Sequence, residues 1–189
     1  MKSLTIFCAA TILILSTGNV LADITVIDFE SLGNNIVVDD QFSSLGADFN
    51  GDATAIIVSS SSTTPPHSGS QVIWNCPSYN IQVDAVGPEW LMAGGYVTGT
   101  DIVTLTAYDS FGDPLGTDLT SGANIVGSGI PNIFLSVSAP NIAYVKFSIK
   151  NGGTFTVDDF TFNPVPVPAA VLLGMLGLGV AGLKLRKFV

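Results

Sequence analysis

Between residues 24 and 162, hydrophobic and polar positions alternate at period two, in short runs separated by clusters of Gly, Pro, Asn, Asp and Ser. This period puts successive side chains on opposite faces of an extended chain, so the pattern predicts half-buried β-strands. Ile24-Thr-Val-Ile-Asp-Phe-Glu30 is the first strand. Residues 53–59, 71–75 and 79–86 follow, with the polar run Ser60-Ser-Ser-Ser-Thr-Thr-Pro-Pro66 breaking regular structure after the first of them. Two runs between Trp90 and Tyr108 are split by Thr98-Gly-Thr-Asp101. The second carries Val103, Leu105 and Ala107 on one face, with Thr104, Thr106 and Tyr108 on the other. Asp109-Ser-Phe-Gly-Asp-Pro114 reverses the chain. Residues 132–138 and 142–150 form the next pair, linked by Ala139-Pro-Asn141, and the latter turns Val145, Phe147 and Ile149 inward and Tyr144, Lys146, Ser148 and Lys150 outward. Asn151-Gly-Gly153 is a hairpin signal feeding the closing strand, residues 154–162.

No helical periodicity or fixed-period repeat occurs in this region. Eight to ten short strands in 142 residues predict an all-β domain, a β-sandwich of jelly-roll type.

The two ends follow other rules. Lys2 precedes an apolar run from Leu4 to Leu15, and Val20 and Ala22 occupy the small positions before a cleavage site, so residues 1–22 read as a secretory signal peptide cut before Asp23. Cys8 lies inside the apolar run, where it is no lipidation site. Residues 165–189 form the second special segment. From Ala169 to Leu183 fifteen residues carry no charge. As a helix they would span roughly 22 Å, short of the ~30 Å hydrocarbon core. Pro166 and Pro168 mark the helix start, and Lys184, Arg186 and Lys187 form a basic stop of the kind retained in the cytoplasm. Gly177 and Ala181 give a small-xxx-small spacing suited to close helix contact.

Physics alone reads this tail as a short transmembrane anchor. The order Val165-Pro166-Val167-Pro168-Ala169, apolar Gly/Leu-rich span, terminal basic cluster also resembles the PEP-CTERM sorting signal of Gram-negative bacteria. Val167 stands where that family commonly has Glu, so the string is closest to its Val-Pro-x-Pro-Ala variant. The resemblance implies an exported protein held briefly in the inner membrane, cut near the motif by an exosortase-type membrane peptidase, and released to the cell surface or outside the cell.

Removing both ends leaves residues 23–164, one domain of ordinary size with enough chain to bury a core. All fifteen acidic residues lie in it, opposed only by Lys146 and Lys150, for a formal charge of −13. Such a surface repels phosphate backbones, which argues against nucleic acid as a partner. It keeps an exported domain soluble and suits divalent cations. Cys76 is the only cysteine left, so the domain closes no internal disulfide.

Residues 104–162 contain a strand ending Ala107-Tyr-Asp109, a Gly-containing turn, a strand with Val145-Lys-Phe147 and a closing Phe155-Thr-Val-Asp-Asp-Phe160. This series resembles jelly rolls of the carbohydrate-binding-module type. In that type the first and last strands are neighbours and can hold a structural Ca²⁺, a role the resemblance would transfer to Glu30 and Asp158, with Asp28 two residues from Glu30 on the same strand face. The alternative is that these carboxylates are merely solvated. A sugar-binding face would need exposed aromatics, which Trp74, Tyr79, Trp90, Tyr96, Tyr108 and Tyr144 supply, two or three of them expected in the core.

His67 is the only histidine and sits in Pro65-Pro-His-Ser-Gly69, expected to be flexible, so no rigid base serves a nucleophile. The sequence therefore predicts a non-enzymatic cell-surface or matrix protein associated with extracellular polysaccharide. Its rival is a small secreted hydrolase using paired carboxylates.

Overall fold

The computed structural model describes residues 23–76 and 78–166. The signal peptide, the motif residues Val167, Pro168 and Ala169, the apolar span and the basic stop lie outside the described residues. Among the described residues no helix is long and apolar enough to cross a membrane.

Among the described residues twelve strands run in chain order: β1 (Thr25–Ile27), β2 (Ile36–Val38), β3 (Ala47–Asp48), β4 (Ala53–Ile57), β5 (Gln71–Trp74), β6 (Asn80–Ala85), β7 (Trp90–Gly99), β8 (Val103–Tyr108), β9 (Pro114–Leu119), β10 (Ile133–Ile142), β11 (Tyr144–Ile149) and β12 (Phe155–Pro164). They build two sheets. The larger has the order β10-β7-β12-β5-β4-β2, with β1 also on β12; the smaller has the order β3-β6-β11-β8-β9. Every strand ladder is antiparallel. The molecule is thus an all-β sandwich. The period-two runs are its physical cause, because each strand has one apolar face to bury and the two sheets bury those faces against each other.

Between the sheets lies an aromatic core. Phe160 is its hub, with ring centroids 5.6 Å from Phe49, 5.7 Å from Trp90, 5.8 Å from Phe162 and 6.3 Å from Phe147. Phe29 joins through edge contacts with Phe42 and Phe49. It does so at φ 62, a left-handed backbone that a bulky side chain adopts only under compensation. The compensation is complete burial of its ring.

The structure departs from the sequence reading at the connections. β1 is only three residues long, because the chain turns at Phe29 instead of extending to Glu30. Asn151-Gly-Gly153 joins no hairpin, since β11 and β12 belong to different sheets. The segment is a crossover, with Asn151 at φ 57 supplying the bend. Residues 132–138 and 142–150 likewise fall into different sheets as β10 and β11. The turn at 109–113 does join a hairpin, β8 to β9.

Candidate functional site

The outer face of the smaller sheet is an open polar surface. Its inward residues, Ile81, Val83, Leu105, Ala107, Val145 and Phe147, are buried, so alternation sends their neighbours outward. The register sets them in rows. Asp84, Tyr144 and Tyr108 lie side by side across three strands; Gln82, Lys146, Thr106 and Thr117 form the next row.

Tyr108 and Tyr144 stack in parallel, centroids 4.7 Å apart and planes 9° from each other. Burial first, then Tyr108, Asp84 and Asp109, push the Tyr144 hydroxyl pKa upward. That hydroxyl therefore stays protonated, able to donate as well as accept, across the physiological range. Gln82 Nε2 donates to Asp84 Oδ1 at 2.8 Å. The ion pair within 4.0 Å found among the described residues joins His67 to Asp159, so the Lys146 ammonium has no carboxylate partner there.

One end of this face is bounded by the β8–β9 turn. Asp109 Oδ1 accepts from the backbone N–H groups of Phe111 and Asp113, both at 2.9 Å, and Gly112 takes φ +85. The tightened turn leaves Phe111 90% exposed at its tip. A Cβ on Gly112 would lie 3.6 Å from Tyr144 Oη, so the tyrosine reaches over the turn that displays Phe111. At the opposite end stands Tyr79, 71% exposed, just before β6.

The other sheet carries a second polar cluster with a different purpose. The β12 register passes from Asp158 opposite Tyr96 to Thr161 opposite Gly94, a bulge of one extra residue, and Asp159 sits there at φ 45. The bulge cancels the alternation that would put Asp158 and Asp159 on opposite faces, and both carboxylates engage residues 67–68. Asp158 Oδ2 accepts from the N–H groups of His67 (2.7 Å) and Ser68 (3.0 Å), and its Oδ1 accepts from Asp159 N–H (2.8 Å). Asp159 pairs with His67 Nδ1 at 2.6 Å and accepts from Ser68 Oγ at 2.8 Å. The His67 ring also stacks on Tyr96 at 3.4 Å. The run expected to be flexible is therefore pinned at its centre. Burial is the largest influence on Asp158 and raises its pKa, partly countered by the Ser68 N–H.

The carboxylates put forward for calcium thus have separate tasks. Asp28 is exposed and accepts from Glu30 N–H at 3.2 Å. Glu30 accepts from the N–H groups of Ser70 (2.8 Å) and Gln71 (2.6 Å). β1 and β12 are paired as the resemblance implied. No group of three or more His, Cys, Asp or Glu side chains placed to hold a metal occurs among the described residues. Of the six aromatics weighed for sugar stacking, Trp90 is core, Trp74 and Tyr96 lie on the larger sheet, Tyr108 and Tyr144 belong to the open face, and Tyr79 stands exposed just before β6, beside Gly152. Phe111 was missed, although its place inside a turn motif marked it as exposed.

No family model matches the chain, and no curated protein does. Solved structures similar to it include a DUF4465 family protein from Bacteroides caccae (11% identity, 80% of this chain and 97% of that one, TM-score 0.45). The CBM22-1 xylan-binding domain of Paenibacillus barcinonensis Xyn10C is another (16% identity, 78% and 97%, TM-score 0.44). A family 29 carbohydrate-binding module is a third (12% identity, 75% and 90%, TM-score 0.43).

Proposed function

We propose that this is an exported, non-catalytic glycan-binding protein whose ligand lies across the outer face of the smaller sheet. The observation that carries this reading is the parallel Tyr108–Tyr144 pair, half-buried on an open strand face beside the Gln82–Asp84 pair and Lys146, which has no carboxylate partner among the described residues. Sugar rings present C–H faces that pack on aromatic rings and hydroxyls that need donors and acceptors. This face offers both, with Phe111 and Tyr79 exposed at its two ends. The six residues of β6 give it a length of about 20 Å along the strands, enough for a short stretch of polysaccharide.

In this reading the signal peptide exports the chain. The tail at 165–189 holds it in the inner membrane until an exosortase-type peptidase cuts near Val165–Ala169, and the released domain adheres to polysaccharide at the cell surface or in the matrix. Affinity electrophoresis through gels containing the host's extracellular polysaccharide tests the binding. Migration of the wild type should be retarded. Tyr108→Ala and Tyr144→Ala should each weaken binding by about 2 kcal/mol, roughly thirtyfold, as expected of a central aromatic anchor. Retardation that is equal in wild type and both variants would place the ligand elsewhere.

A further inference from the structure

The larger sheet carries a cleft of about 340 Å³ on its outer face, between the segment 56–64 and the ends of β5 and β12. That volume lies within the about 300–1,000 Å³ typical of small-ligand sites. Its apolar lining comes from Ile56, Trp74 and Phe155, and hydroxyls come from Ser62, Thr63, Thr64, Thr154 and Thr156. No charged residue lines it.

Two kinds of polar group are left over there. The Trp74 indole N–H is shielded from water and has no acceptor among the described residues. A buried donor left without an acceptor is destabilising, so its persistence calls for an explanation. Several hydroxyls are occupied: Thr100 Oγ1 donates to Thr154 O, Thr156 Oγ1 to Thr98 O, and Ser62 and Thr64 pair with each other. Among the described residues, the Thr63 and Thr154 hydroxyls have no hydrogen-bond partner.

We propose that this cleft binds a single neutral sugar residue, stacked against Trp74 and hydrogen-bonded to the indole N–H and the Thr63 and Thr154 hydroxyls. The lining selects that chemistry by exclusion. A charged ligand would find no countercharge. A hydrocarbon would bury hydroxyls without partners. A sugar ring has an apolar face for Trp74 and hydroxyls for the rest. The indole nitrogen is covered in this structure, so a hydrogen bond to it requires its cover to shift.

The site lies on the sheet opposite the Tyr108–Tyr144 face. Together the two let one domain hold two glycan segments at once, so it would cross-link a matrix as well as adhere to it. The inference rests on the glycan reading only for this cross-linking role; binding in the cleft stands or falls alone.

Intrinsic fluorescence tests it, because Trp90 is fully buried in the core and Trp74 is the other tryptophan. The mature protein is titrated with the methyl glycosides of glucose, galactose, mannose and xylose, up to tens of millimolar. At least one should shift the emission saturably. The shift should persist in Tyr144→Ala. Thr63→Val and Thr154→Val should each weaken it about tenfold, the loss of one hydrogen bond of about 1.4 kcal/mol. Neither hydroxyl supports the fold, so both variants should melt like the wild type. No shift with any glycoside overturns the proposal, and so does a shift that both threonine variants leave unchanged. Loss of the shift in Tyr144→Ala would assign it to the opposite face and also overturn it. Retardation in polysaccharide gels that depends on Tyr144 without any glycoside shift would leave the first site standing and remove the second.

Discussion

Asp158 shows how a single side chain can serve the fold at an electrostatic cost. The residue is 1% exposed; its carboxylate accepts the N–H groups of His67 and Ser68, which tie the loop at 67–68 to the central strand β12, and the N–H of Asp159 within that strand. Burial nevertheless dominates and raises its pKa above the ordinary 3.8. The native state therefore holds the proton more tightly than the unfolded chain does, and stability falls as pH rises from 3.8 through the raised native value. Above that window the full penalty remains. Urea midpoints measured across the acidic range should show this decline, and Asp158→Asn should flatten it. An unchanged slope in the variant would show that another group titrates.

Glu30 makes the second residue-scale test. Its Oε1 accepts from the N–H groups of Ser70 and Gln71, and its Oε2 from the Ser70 hydroxyl. Donors aimed at a carboxylate occupy the directions a cation would approach from. Melting temperatures in calcium and in chelator should thus agree within about a degree; a ligand at a hundred times Kd would instead add about 2.7 kcal/mol. A calcium-dependent rise lost in Glu30→Gln would restore the ion to the junction of β1 and β12.

At the scale of elements, the strands were legible and their partners were not. Period-two runs located β6, β8 and β11 to within a residue or two and sorted Val103, Leu105, Ala107, Val145 and Phe147 correctly into the core. β2, β3 and β9 went unread, because two or three residues, or a strand opening Pro-Leu-Gly, carry too little alternation to register. The Asn-Gly-Gly signal identified a bend correctly, but a bend does not say whether the next strand returns to the same sheet. The Asp158–Asp159 bulge had no local mark at all. It exists because β5 and β1 divide one edge of β12 between them and the loop at 65–70 fills the gap. That loop carries a prediction of its own. Gly69 has φ +53, and a Cβ there would press on the Glu30 carboxylate. Gly69→Ala should lower unfolding stability by about 1–3 kcal/mol, read from denaturant midpoints. An unchanged midpoint would show that the Glu30 contact yields freely.

For the whole molecule, the two sheets set the surfaces. The excess of acid over the two lysines of the mature domain leaves Lys146 as a cation placed on the open face without a carboxylate partner among the described residues. The fold gave it that position, and charge counting alone did not. The tail makes the processing prediction. Protein recovered from the medium should have an intact mass ending between Val165 and Pro168, whereas full-length protein confined to the membrane fraction would leave a plain anchor.

The open face is tested most directly by backbone amide shift mapping of the mature protein titrated with oligosaccharides released from the host's extracellular polysaccharide. Shifts should concentrate in β6, β8 and β11 and in the turn bearing Phe111, and should disappear in Tyr108→Ala/Tyr144→Ala. Shifts confined to other strands, or none at saturating oligosaccharide, would contradict a glycan-binding face on the smaller sheet.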